Sequence, residues 1–134
     1  MRLKLAASLL YGFILVGAVG CSRTHSTLAA ATKLPPAAEL GVEQLAKHPE
    51  AFSNRRLALR GVVATIDASQ KRFTVIDVAE YNACRELGCS SCEVPVTFSG
   101  ALPETARTVR ITGRLEQAEP GRYLVVAQQV EVVR

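Results

Sequence analysis

Five β-rich runs occupy most of the chain after residue 56: LALRGVVATID from Leu57, RFTVIDVAE from Arg72, EVPVTFSG from Glu93, TVRITGRLEQ from Thr108 and RYLVVAQQVEVV from Arg122. They are rich in Val, Ile, Thr and aromatic residues, and most are separated by turn formers such as Ala68-Ser69-Gln70, Gly100-Ala101-Leu102-Pro103 and Glu119-Pro120-Gly121. Alternation is clearest at Val94, Val96 and Phe98, and again at Val109, Ile111, Gly113 and Leu115. Their neighbours Thr97, Thr108, Arg110, Thr112 and Arg114 then face outward. An open sheet of this size leaves two unpaired edges, and closure into a small barrel removes both. Gly61 and Gly113 fall inside strands, where such a barrel needs a sharp bend or a close approach of two backbones.

Ahead of these runs, Ala37 to Phe52 sets Leu40, Leu45 and Phe52 among Glu39, Glu43, Gln44 and Lys47, the one-sided pattern of a short amphipathic helix. Pro49 must end or bend it. Ser22 to Pro36 has no apolar period, is rich in Ser, Thr, Ala and Pro, and reads as a flexible tether; His25 falls within it.

The first 20 residues have the three zones of an export signal: Arg2 and Lys4, then an uncharged apolar stretch from Leu5, then small residues up to Gly20. The end of that stretch, Ala18-Val19-Gly20-Cys21, resembles a bacterial lipobox, in which the cysteine is acylated and becomes the first mature residue. Ala18 stands where such signals usually carry Leu. The resemblance implies residues 1–20 as signal peptide, residues 21–36 as lipid-anchored tether and residues 37–134 as the folded domain. It also implies a cell-envelope protein held to a membrane by Cys21 and facing the periplasm. Ser22, which is not the Asp that retains enterobacterial lipoproteins at the inner membrane, favours the outer one. Without the leader, 14 basic residues stand against 12 acidic ones. The basic track that a phosphate backbone requires is missing, which argues against a nucleic-acid partner.

Phe73-Thr74-Val75-Ile76-Asp77, the stretch Val94 to Pro103 and Val109-Arg110-Ile111-Thr112-Gly113-Arg114-Leu115 resemble exported bacterial OB-fold domains. That group is related to anticodon-binding-like modules and to the haem chaperone of cytochrome c maturation. The resemblance implies an all-β fold, a five-stranded OB-type barrel preceded by the short helix, with a capping helix within GALPETAR, residues 100–107. No His follows His48 in these 134 residues, so the haem attachment of that chaperone does not carry over. Phe73 and Phe98 stand in phase with Val75 and Val96, in core positions rather than as a stacking platform for bases.

Between Asp77 and Val94 the stretch VAEYNACRELGCSSCE is longer than a hairpin needs and holds Cys84, Cys89 and Cys92. An iron–sulfur cluster wants a fourth cysteine, and Cys21 is taken by lipid in this reading. Three thiolates suit zinc or copper, with His48 as candidate fourth ligand, yet no second ligand pair exists in the sequence. An oxidising compartment favours one disulfide, Cys84–Cys92, Cys84–Cys89 or Cys89–Cys92, with one thiol left over. The Cys89-Ser90-Ser91-Cys92 motif admits a thiol–disulfide redox protein but lacks the helix N-terminus such centres use. No catalytic constellation can be assembled. The sequence therefore points to a non-catalytic, cofactor-free binding module with a disulfide-stapled loop, whose partner is an envelope protein or small ligand. A zinc- or copper-binding lipoprotein and a thiol redox protein are the alternatives.

Overall fold

The structure, a computed structural model, describes residues 38–134. The expected signal peptide, the expected tether and the expected lipidation site Cys21 lie outside the described residues. Strand β1 (Glu39–Gly41) leads into helix α1 (Val42–Lys47) and a 3-10 turn (Pro49–Phe52). Then come β2 (Arg56–Asp67), β3 (Arg72–Ile76), α2 (Val78–Cys84), a second 3-10 turn (Leu87–Cys89), β4 (Glu93–Thr97), β5 (Thr108–Glu119) and β6 (Arg122–Val132).

The sheet runs β1-β2-β3-β4-β6-β5, and β2 also pairs with β5, so β2 to β6 close into a five-stranded barrel. All contacts around it are antiparallel except the closing one, where β4 and β6 run parallel through only two pairs, Val96↔Val125 and Thr97↔Val126. The five expected strands are the five barrel strands. A sixth, β1, was not anticipated: it pairs in parallel with Ala58–Arg60 and covers the edge of β2 that β3 leaves free. Val109, Ile111 and Leu115 of β5 are buried, and their neighbours Arg110 and Arg114 are exposed, in the alternation read from the sequence. With Leu57, Leu59, Val63, Phe73, Val75, Val94, Val96 and Val125 they form the barrel core.

Three expectations need correction. The amphipathic helix is only six residues long, because Glu39–Gly41 is drawn into the sheet and Pro49 stops the helix. No helix forms in residues 100–107. There Ala106 N donates to Val63 O at 2.8 Å and Arg107 O accepts from Val63 N at 2.9 Å, so β2 takes the backbone groups a helix would need. Instead α1 caps the core, inserting Val42 and Leu45, 0% and 1% exposed. Third, the run from Arg72 leaves the sheet at Ile76, and the cysteine stretch folds rather than loops. Asp77 caps α2 by accepting from Ala79 N at 2.8 Å. Val78, Tyr81 and Leu87 pack on Val62, Ala64 and Ile76, a second small apolar cluster.

Ala106 is exposed and adopts φ 61°, a left-handed conformation that costs an alanine about 1 kcal/mol. Ala106→Gly should therefore stabilise the protein by roughly 0.5–1 kcal/mol, seen as a higher urea midpoint at unchanged slope.

Candidate functional site

Two features adjoin on one side of the barrel, the cysteine excursion and a groove. The excursion is organised by Glu80 of α2. Its Oε2 accepts from Ser90 Oγ and its Oε1 accepts from Ser91 Oγ at 2.9 Å, so one carboxylate holds both serines between Cys89 and Cys92. These hydrogen bonds, that of Ser90 foremost, keep the Glu80 carboxyl below the usual carboxylate range. A carboxylate depressed in the folded state stabilises the fold fully above its unfolded pKa, and that contribution disappears as pH falls through the lower, folded value. Glu80→Gln should flatten the loss of stability below about pH 4.5 and speed amide exchange at Ser91 and Cys92, both measurable by acid titration and hydrogen exchange.

The structure brings two of the predicted residues together and leaves two apart. Cys84, half-buried at the end of α2, and Cys89, exposed in the second 3-10 turn, meet at the Glu86 carbonyl, which accepts from Cys84 Sγ at 3.5 Å and from Cys89 N at 3.4 Å. The neighbouring Cys84 side chain foremost, then desolvation, with the fields of Glu86 and Glu80 adding to them, raise the Cys89 thiol above its ordinary range. The Cys92 Sγ instead lies 3.8 Å from Ser91 Oγ, whose hydrogen goes to Glu80. His48 is exposed at the end of α1, its Nδ1 4.0 Å from Glu50 Oε1. Among the described residues no three His, Cys, Asp or Glu side chains gather as a metal site. As placed, the three thiols and His48 do not form the donor set that zinc or copper takes.

The groove encloses about 560 Å³ between α1, β4 and the β5–β6 hairpin. Leu45, Val94, Val96 and Leu115 line its apolar part, and Tyr123 and Thr97 add polar atoms. Its basic residues Arg72 and Arg122 are matched by Glu93 and Glu119, and Arg122 Nη1 lies 3.3 Å from Glu119 Oε2. It exists because β4 and β6 splay away from their two shared pairs, leaving Glu93–Pro95 and Arg122–Leu124 facing one another without a ladder. Pro95, which has no N–H to donate, fits such a seam. The groove meets the excursion at Cys92-Glu93, where Lys47 of α1 also approaches: its pairing with Glu43 foremost, then the weaker fields of Cys92 and Glu80, raise the Lys47 ammonium pKa.

No family model matches the chain, and no curated protein does. Solved structures do. The hypothetical protein YgiW from E. coli matches with a TM-score of 0.52 and 15% identity, over 74% of this chain and 94% of that one. The domain has the OB fold. The telomere capping protein Ten1 from Saccharomyces pombe matches at TM-score 0.49 and 16% identity, over 72% of this chain and 80% of that one. The S. pombe Stn1–Ten1 complex matches at TM-score 0.49 and 14% identity, over 74% and 78%. At such identities the likeness concerns the OB fold alone. Within this OB fold Phe73 is 1% exposed and belongs to the core, so it offers no face for a base to stack on.

Sequence reasoning missed Glu80, Lys47 and the groove residues. For Glu80 a signal was present: Asp77 followed three residues later by Glu80 is the spacing of a capped helix start. For the groove there was none, since it depends on how far two strands distant in sequence diverge.

Proposed function

We propose that this chain is a lipid-anchored protein of the cell envelope, facing the periplasm, whose OB domain is a non-catalytic binding module for an extended segment of a protein partner. The observation that carries this reading is the open seam between β4 and β6. It joins an apolar floor to two strand edges without ladder partners, so a bound segment can seat a side chain and have main-chain groups to meet. OB folds take ligands beside the corresponding strand and hairpin. Balanced charge around the groove suits a neutral polypeptide better than a polyanion. For the anchor, the lipobox-like Ala18 to Cys21 and the tether after it support attachment through the Cys21 lipid, at the outer membrane. Among the described residues no helix is long and apolar enough to cross a membrane.

The test is selection of a displayed random-peptide library on the full chain, followed by affinity measurement with the synthesised winners. Ala118 is exposed and lines the groove, so Ala118→Trp should weaken their binding at least tenfold, about 1.4 kcal/mol, with melting unchanged. Arg56→Ala, on β2 outside the groove, should leave affinity intact. Binding indifferent to Ala118→Trp would refute the groove, and winners that are displaced by small apolar molecules would reassign it to a small ligand. For the anchor, Cys21→Ala should abolish fatty-acid labelling and membrane fractionation, and persistence of both would refute it.

A further inference from the structure

The excursion supports an inference beyond groove binding. Cys84 ends α2, and Arg85, in the left-handed conformation at φ 61°, turns the chain back while its N–H donates to Tyr81 O at 2.7 Å. The Glu86 carbonyl then accepts from two sides, from Cys84 Sγ at 3.5 Å and from Cys89 N at 3.4 Å. A single oxygen thus sets the Cys84 sulfur beside the Cys89 backbone. Cys92 is held in a different arrangement. Ser90 Oγ accepts from Cys92 N at 3.2 Å and lies 2.8 Å from Cys92 O, while Glu80 fixes both serines and Ser91 Oγ faces the Cys92 sulfur.

We propose that Cys84 and Cys89 form the disulfide of this protein and that Cys92 is its remaining thiol. The co-reactant is a disulfide, carried by a small molecule or by a thiol oxidase. One of the two thiols loses its proton and attacks the oxidant's S–S bond, which breaks and releases one oxidant thiolate. The second protein thiolate attacks the mixed disulfide, forms the Cys84–Cys89 bond and expels the other oxidant thiolate. The protein loses two electrons and two protons, and the oxidant gains both as two thiols. Cys89 is exposed, which gives the oxidant access. Because the Cys89 thiol titrates high, the reaction accelerates as pH rises. The bond secures the end of α2 to the turn that follows it, adding a covalent tie to the hydrogen bonds through Glu86.

Trypsin makes the pairing readable, because cleavage after Arg85 puts Cys84 in the peptide Phe73–Arg85, and Cys89 with Cys92 in the peptide Glu86–Arg107. The full chain is oxidised with glutathione disulfide at mildly alkaline pH, alkylated with iodoacetamide and digested without reductant. The expected product is Phe73–Arg85 joined to Glu86–Arg107 with the alkyl group on Cys92, and the joined pair persists in Cys92→Ser. Four outcomes would overturn the assignment: an alkyl group on Cys89 in the joined species, Phe73–Arg85 recovered alkylated and free, Cys84 left as a glutathione adduct, or Cys84 joined to the peptide containing Cys21.

Discussion

Gly113→Ala is expected to destabilise the protein by roughly 3 kcal/mol or more, read as a collapse of the urea midpoint. A Cβ at residue 113 would stand 2.3 Å from Val126 O and 2.9 Å from Ala127 Cα, and both of these are backbone atoms of β6. No side-chain rotation relieves such a clash; β6 itself would have to move. The β5–β6 register shifts between Thr112 and Gly113, so this close approach falls where the ladder is already irregular. Gly61→Ala should cost less. Its Cβ would press on Val42 Cγ2 and Val75 Cβ at 2.9 Å and on Ile76 O at 3.0 Å, and the six-residue α1 that carries Val42 can yield. Gly88→Ala, whose Cβ meets nothing within 4 Å, is the control and should change stability by less than about 0.5 kcal/mol.

Leu45→Ala should cost about 3 kcal/mol and, unlike Gly113→Ala, should enlarge the groove. Leu45 is 1% exposed, belongs to the barrel core and also lines the groove, so truncation removes packing from both. Of the barrel strands, α1 packs most extensively against β4. Amide exchange at Val94 and Val96 should therefore quicken more than at Val109 or Ile111, across the barrel. Chemical denaturation gives the size of the effect and hydrogen exchange gives its location; uniform acceleration would show that α1 stabilises the barrel globally rather than at the seam.

The barrel was legible in the sequence because period-two alternation is local. Val109, Ile111 and Leu115 declare their faces without reference to anything distant, and Gly113 declares a close approach by lacking a side chain inside a strand. The fate of residues 100–107 was not legible, since it depends on Val63, more than forty positions away, claiming Ala106 and Arg107. The short strand β1 escaped notice for a similar reason: Glu-Leu-Gly has no pattern of its own and becomes a strand only because an edge of β2 awaits it. For the cysteines, spacing named the three candidates and left every pairing open. What separates Cys84 and Cys89 from Cys92 is a helix end, a left-handed Arg85 and one glutamate, features expressed in backbone direction rather than in residue spacing.

The two-pair parallel contact between β4 and β6 also bears on the order of assembly. A chain emerging N-terminus first can form the β2–β3–β4 meander early, from neighbours in sequence, but β4 gains its second neighbour only after Val125 and Val126 arrive. Until then the growing sheet exposes a free edge and an incomplete interior, with the slow, long-range closure that high contact order entails. Closure of β6 on β4 thus shapes the groove, and a nascent chain can complete it only when β6 has been delivered.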